Sequence, residues 1–225
     1  MNPLVSIVSP VHNGERWLDE SIASVGAQTY QPIELIVVDD GSTDGSAEVA
    51  RRLGVKLVQQ SQAGQPAAMN TGVRATLGDF IGFIDADDRY PPGRVESMMS
   101  ILLTRPEVEG VFGLMEEFAE EVVGPIRSVR APATNRHPAC MVMRKSLLER
   151  VGPFDETLEL ASVPAWVALA QSQEARLVAI DEVVLFRRLH DSNMGLSGWK
   201  HRAEYARAMH SGLVARRKPP GKSDQ

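Results

Sequence analysis

Apolar positions along the first hundred residues follow two alternating rhythms. Short β-branched runs, LVSIVSPV (4–11), IELIVVDD (33–40), VKLVQQ (55–60) and DFIGFID (79–85), have the length and composition of strands. Between them, ERWLDESIASVGAQ (15–28), TDGSAEVARRL (43–53), PAAMNTGVRATL (66–77) and PGRVESMMSILLTR (92–105) read as helices, and Leu18, Ile22 and Val25 share one face of the first. Strand and helix in strict alternation predict an α/β fold whose central sheet is mostly parallel and covered by helices on both faces. Ligands bind such sheets beyond the carboxyl ends of the strands. Polar clusters fall at those ends: Pro10 to Gly14 after the first strand, Asp39 to Thr43 after the second and Asp85 to Asp88 after the fourth. Three loops therefore converge on one edge.

Past residue 107 the rhythm changes. VEGVFGLMEEFAEEVVGPIRSVRA (108–131) reads as strands joined by a Gly-Pro turn, with EEFAEE as the solvated face of a hairpin; PACMVMR (138–144) is a further strand, followed by a short helix. No linker composition and no repeat interrupts the chain. The expectation is one domain over residues 1–218, with a Rossmann-like half at 1–106, an extension at 107–196 that covers the sheet edge and a C-terminal helix at 197–218. Trp199, Ala203, Ala206, Met209, His210 and Leu213 share one side of that helix, which is expected to dock on the domain or on a partner copy as a homodimer, with peripheral contact to an anionic membrane as the alternative. Residues 219–225 are expected to be disordered.

Composition narrows the class. The chain of 225 residues is 43% hydrophobic and carries a net charge of −5, which suits a folded protein with no general attraction to nucleic acid. Cys140 is the single cysteine, so an intramolecular disulfide is excluded and a reducing compartment fits; its place in PACMVMR suggests a core-filling strand residue. The N-terminus has no basic region, and nowhere do eighteen apolar residues run together. The expectation is a cytoplasmic protein, either free or peripheral at the inner membrane face.

FIDADD (83–88) puts three carboxylates into four positions at a strand end. Alternate strand residues share a face, so Asp85 and Asp87 can point together while Asp88 turns away, and two hard oxygen ligands suit Mg²⁺ or Mn²⁺ bridging a diphosphate. The competing reading is an exposed acidic turn capping the helix near Pro92. VVDDGSTD could be only a turn and helix cap, or could offer Asp40 to a ring N–H of a nucleobase; SPVHNGE could be only an Asn-Gly turn. His190 and the flanking Arg187 and Arg188 could meet phosphate and metal, or could be structural. GxGxxG, HExxH, paired CxxC and a complete P-loop are all missing.

The ordered set VSIVSPVHNGERWLDESIASVGAQTYQPIELIVVDDGSTDGS, NTG, FIDADD, VGPFDETL and FRRLHDSNMG resembles the family 2 glycosyltransferases of the GT-A fold, over roughly residues 3 to 195. The resemblance implies an enzyme that transfers a sugar, with inversion, from a nucleotide-diphosphate-sugar donor (foremost a UDP-sugar) to a hydroxyl of a glycan, lipid-linked or protein acceptor, in bacterial-type glycan or polysaccharide assembly. It implies a divalent metal, Mg²⁺ or Mn²⁺, held by Asp85, Asp87 and His190. It also implies a donor site containing Pro10, Asn13, Asp40, Ser42, Asn70, Asp85 and Arg188, with residues 1–106 as the nucleotide-sugar-binding half and 107–196 as the acceptor-side half.

Two departures stand out. Where the family usually carries an acidic pair whose Asp is the catalytic base, this chain has Ser162-Val163 at the start of a helix, with Ser162 as the expected N-cap and Pro164 in the first turn. The base is then expected from Glu159, Asp155 or Glu156. Met69 replaces a frequent arginine, a loss that Gln65 or Arg74 could offset. The alternative function is a GT-A module that binds nucleotide sugar but is catalytically impaired, acting as partner of another transferase.

Overall fold

The computed structural model describes residues 1–119, 133–134, 137–158 and 161–190. Four strands alternate with four helices as the periodicity predicts: β1 (Val5–Val11), α1 (Glu15–Gly26), β2 (Ile33–Asp40), α2 (Ser46–Arg52), β3 (Lys56–Gln60), α3 (Gln65–Arg74), β4 (Phe80–Phe83) and α4 (Arg94–Thr104). There follow β5 (Gly110–Phe118), the two-residue β6 (Ala133–Thr134), a 3₁₀ turn (Pro138–Cys140), β7 (Met141–Arg144), α5 (Lys145–Val151), α6 (Ser162–Ser172) and β8 (Leu177–Arg188). Cys140 is buried as expected but in the 3₁₀ turn, one residue before the strand.

The sheet order is β3-β2-β1-β4-β7-β5-β6, and β8 also pairs with β5. β1 is parallel to β2 and to β4, and β2 to β3; β7 runs antiparallel to both β4 and β5, and β8 runs parallel to β5. The chain steps outward from β1 to β3 and then returns to lay β4 on the other side of β1. That reversal opens a crevice at the carboxyl ends of β1 and β4, the ordinary ligand position of an open α/β sheet. Strand β8 returns parallel to β5, so its carboxyl end reaches the same edge.

Every residue of β1 is buried, as a strand covered on both faces requires. Val5 and Ile7 pack with Val25 of α1 and with Val95, Met98 and Leu102 of α4; Val11 and Val37 pack with Leu18, Ile22 and the α2 residues Val49 and Ala50. On the opposite face Val8, Ile36 and Val38 meet Ala68 and Met69 of α3, Leu147 of α5, and Trp166 and Val167 of α6. Alternation along the strand thus assigns α1, α2 and α4 to one face and α3, α5 and α6 to the other. The C-terminal helix expected at 197–218 and the tail lie outside the described residues.

Candidate active site

β4 ends at Phe83, and the chain turns immediately, the Asp88 N–H donating to the Asp85 carbonyl at 3.2 Å. Carboxylate oxygens of Asp85, Asp87 and Asp88 lie within 4.8 Å of one another. Asp88 is buried, and its Oδ1 accepts the Arg188 backbone N–H at 2.9 Å, tying the cluster to the end of β8. Asp85 is half-buried; its Oδ1 accepts from Gln65 Nε2 at 2.8 Å, and its Oδ2 lies 3.5 Å from His137 Nε2. Burial, with Asp87 alongside, pushes the Asp85 carboxyl above the ordinary range. Burial and the charges of Asp87 and Asp85 push Asp88 well above it. Such crowding is relieved by a cation, and the donor set of hard oxygens fits Mg²⁺ or Mn²⁺.

His190 Nε2 sits 2.8 Å from Asp87 Oδ2, and its ring stacks on Trp17 with centroids 4.0 Å apart and planes 27° from parallel. Arg188 donates from Nε to the Asp87 carbonyl at 2.9 Å, pairs with Glu20 and lies over the Phe118 ring. Glu20 also pairs with Arg89 at 2.5 Å. Trp17 and Glu20 stand three residues apart on α1, so the opening of that helix carries both supports of the site. A tryptophan and a glutamate at helical spacing ordinarily read as core and surface, and sequence reasoning missed them, as it missed His137.

The loops after β1 and β2 are knitted together. Asn13 adopts a left-handed backbone (φ 55°), its Oδ1 accepts the Thr43 N–H at 2.8 Å, and its own N–H donates to Ser42 Oγ at 2.9 Å. Asp40 is buried, with Oδ1 accepting from Gln60 Nε2 and the Ala63 N–H and Oδ2 from the Gly64 N–H, each at 2.8 Å. Asp40 therefore holds the 61–64 loop at the head of α3. Pro10 lies within buried β1 opposite Val38, below the loop rather than in it.

Residues 6–152 match glycosyl transferase family 2. The chain belongs to that family. Among its relatives, the uncharacterized glycosyltransferase alr2836 of Nostoc is 25% identical over 93% of this chain and 72% of its own length. The uncharacterized glycosyltransferase EpsJ of Bacillus subtilis is 42% identical over 39% of this chain and 27% of its own. Among solved structures, S. aureus TarS in complex with UDP-GlcNAc superposes with a TM-score of 0.76 over 94% of this chain and 66% of that one, at 18% identity. The mannosyltransferase PcManGT of Pyrobaculum calidifontis, in complex with GDP-Man and Mn²⁺, gives 0.72 over 98% and 66%, at 19% identity. The fold is thus the GT-A fold, and the protein is a family 2 glycosyltransferase.

Ser162-Val163, where the acidic pair with the base would be expected, is buried at the start of α6. Ser162 is the first residue of α6 rather than its N-cap, which is Ala161; Ser162 and Val163 are buried, and the Ser162 hydroxyl has no hydrogen-bond partner among the described residues. Asp155 Oδ1 accepts from the Thr157 N–H and hydroxyl at 2.9 and 2.7 Å, capping an exposed turn. Glu156 is exposed, and its Oε1 accepts from Asn70 Nδ2 at 2.8 Å. Glu159 lies outside the described residues.

Asn70, expected at the donor, is buried, and its amide is committed to the protein. Nδ2 donates to the Phe154 carbonyl at 2.9 Å as well as to Glu156, and Oδ1 accepts the Phe154 N–H at 3.0 Å. It joins α3 to the 154–156 loop. Met69 is buried in the core beneath α3. Gln65, at the head of α3, reaches the cluster; Arg74 sits at the opposite end, about 13 Å further along the axis, bonded to Thr71. Arg74 therefore cannot stand in for the missing arginine. Among the described residues no helix is long and apolar enough to cross a membrane.

Proposed function

We propose that this glycosyltransferase moves a sugar from a nucleotide-diphosphate-sugar donor to an acceptor hydroxyl with inversion, in a reaction that depends on Mg²⁺ or Mn²⁺ and serves bacterial-type glycan assembly. The observation that carries this reading is the Asp85, Asp87, Asp88 cluster at the switch point of the sheet, with His190 against Asp87. TarS in complex with UDP-GlcNAc and PcManGT with GDP-Man and Mn²⁺ support the donor class. Asp85, Asp87 and His190 would hold the cation, which when bound offsets negative charge on the departing diphosphate.

The chain's own groups do the rest. Arg188 and the buried Asp88 lock the cluster to β8, while Trp17 holds the His190 ring flat against α1. Asn13, Ser42 and Asp40 shape the pocket wall on the nucleobase side. With Ser162-Val163 in place of an acidic pair, the acceptor proton goes to Glu156, Asp155 or Glu159. Glu156 is favoured over Asp155 because Asn70 orients one of its oxygens while Asp155 is spent on its own turn.

The impaired module is the second reading, favoured by the burial of Ser162, Val163 and Met69. Calorimetric titration of UDP, GDP and dTDP with and without Mn²⁺, followed by assay of nucleotide release from the matching sugar donors, separates the two. Metal-dependent binding lost in Asp87→Asn supports the donor site; turnover lost in Glu156→Gln supports the enzyme and its base. Binding without release by any acceptor or water favours the module. Binding that survives Asp87→Asn unchanged overturns the metal assignment.

A further inference from the structure

We propose that His137 and Gln65 are positioning residues for Asp85, clamping its carboxylate from both sides with neutral donors, His137 acting through an Nε2–H that the backbone locks in place. The inference rests on the metal-dependent reading of the cluster. Asp85 Oδ1 accepts from Gln65 Nε2 at 2.8 Å, and Oδ2 faces His137 Nε2 at 3.5 Å, close enough for a small rotation of the carboxylate to complete the bond.

The tautomer of His137 follows from its other nitrogen. His137 is the N-cap of the 138–140 turn, and its Nδ1 accepts the Ala139 backbone N–H at 3.3 Å. A backbone amide can only donate, so Nδ1 carries the lone pair and the ring proton is on Nε2, facing Asp85. That proton excludes His137 from ligating a cation through the nitrogen nearest the cluster. His137 instead orients the ligand oxygen from outside the coordination shell.

The turn that presents His137 is itself fixed from the core. Buried Arg94 donates to the Ala139 and Met141 carbonyls at 2.8 and 3.1 Å, and its guanidinium lies 3.6 Å from the centroid of Tyr90. Gln65 stands at the head of α3, after the loop held by Asp40. Both donors thus sit on rigid supports, one from each half of the chain. Neither adds positive charge that would oppose a cation.

The test uses the full chain, with Mn²⁺ alone and Mn²⁺ with UDP or GDP as calorimetric probes, and four variants. His137→Gln keeps a donor that reaches Asp85 but loses the cap acceptor; His137→Asn keeps the cap acceptor but loses the reach. His137→Ala and Gln65→Ala are expected to weaken Mn²⁺ about tenfold, as is His137→Asn, while His137→Gln stays within about threefold of wild type. Wild-type affinity in His137→Asn, or a His137→Gln as weak as His137→Ala, overturns the proposal, because the residue would then serve only the turn. Nitrogen-15 NMR of the His137 ring gives a readout that needs no metal. An Nε2–H tautomer whose shift moves in Asp85→Asn is expected, and an Nδ1–H tautomer, or no response to Asp85→Asn, overturns the proposal. Absence of Mn²⁺ binding by the wild type overturns the metal reading of the cluster instead, and the NMR result then decides the His137 contact by itself.

Discussion

Glu34, the second residue of β2, takes three donors on one carboxylate oxygen: Ser6 Oγ at 2.5 Å, the Leu77 N–H at 2.6 Å and the Gly78 N–H at 3.2 Å. Burial alone would raise its pKa, but the Ser6 hydroxyl and the two backbone amides outweigh it and hold the carboxyl below the ordinary range. A depressed folded pKa means the native state favours the charged form. The stabilisation is therefore present above the unfolded pKa of roughly 4.3 and is lost as pH falls through the lowered folded value. Glu34→Gln should cost about 1 kcal/mol at pH 7 once solvent screening is allowed for. Thermal melts of both proteins from pH 7 to pH 3 should show the gap closing at the acid end; a constant gap would assign the loss to shape rather than charge. At Cys140 the balance runs the other way: burial pushes its thiol up to about 12, leaving it protonated at neutral pH.

At the scale of elements, α3 links the Asp85 cluster, through Gln65, to the 154–156 loop, through Asn70. Its Gly72 lies so close to the sheet that a Cβ would come 2.2 Å from Val8 Cγ1 and 3.1 Å from Val38 Cγ2. Both valines are fully buried in central strands and cannot yield. Gly72→Ala should therefore destabilise by about 2 kcal/mol despite the better helix propensity of alanine, read as a lower urea midpoint. Two residues away on the same helix, Asn70 joins α3 to the 154–156 loop by three hydrogen bonds. Asn70→Ala strands the buried Phe154 N–H and carbonyl and should cost about 3 kcal/mol. If Glu156 is the base, the same substitution should lower turnover more than nucleotide affinity, which a steady-state assay beside the calorimetry would separate. An equal loss in both would place Asn70 at the donor after all.

For the whole molecule, binding a donor nucleotide with Mn²⁺ at one site stabilises by mass action. At a hundredfold excess over Kd the gain is about 2.7 kcal/mol, which for a chain of this size is a rise in Tm of roughly 5–10 °C. Asp87→Asn should abolish that rise while leaving the unliganded Tm within about 2 °C, since Asp87 is only half-buried. A persistent shift in the variant would move the metal away from Asp87. The alternation of strands and helices over the first hundred residues was legible because short β-branched runs and 3.6-residue periodicity are local signals. FIDADD, VVDDGSTD and SPVHNGE pointed to a candidate site for the same reason: each is a loop at a strand end. Local pattern could not tell which polar side chains remain available to a ligand. Asp40 and Asn70 have the chemistry of ligand contacts, yet their hydrogen bonds go to Gly64 and to Phe154, the latter 84 residues away. Trp17, Glu20 and His137 carry no local sign of function, because their role exists only where β8 and the 138–140 turn are brought to the β4 edge. What the sequence by itself determined was the α/β class, the parallel order of its first half and the acidic turn, all set by residue type and spacing. What only the tertiary structure decided was which donors close on which carboxylate, because hydrogen-bonding capacity is shared out by distance in the folded chain and not by distance along it.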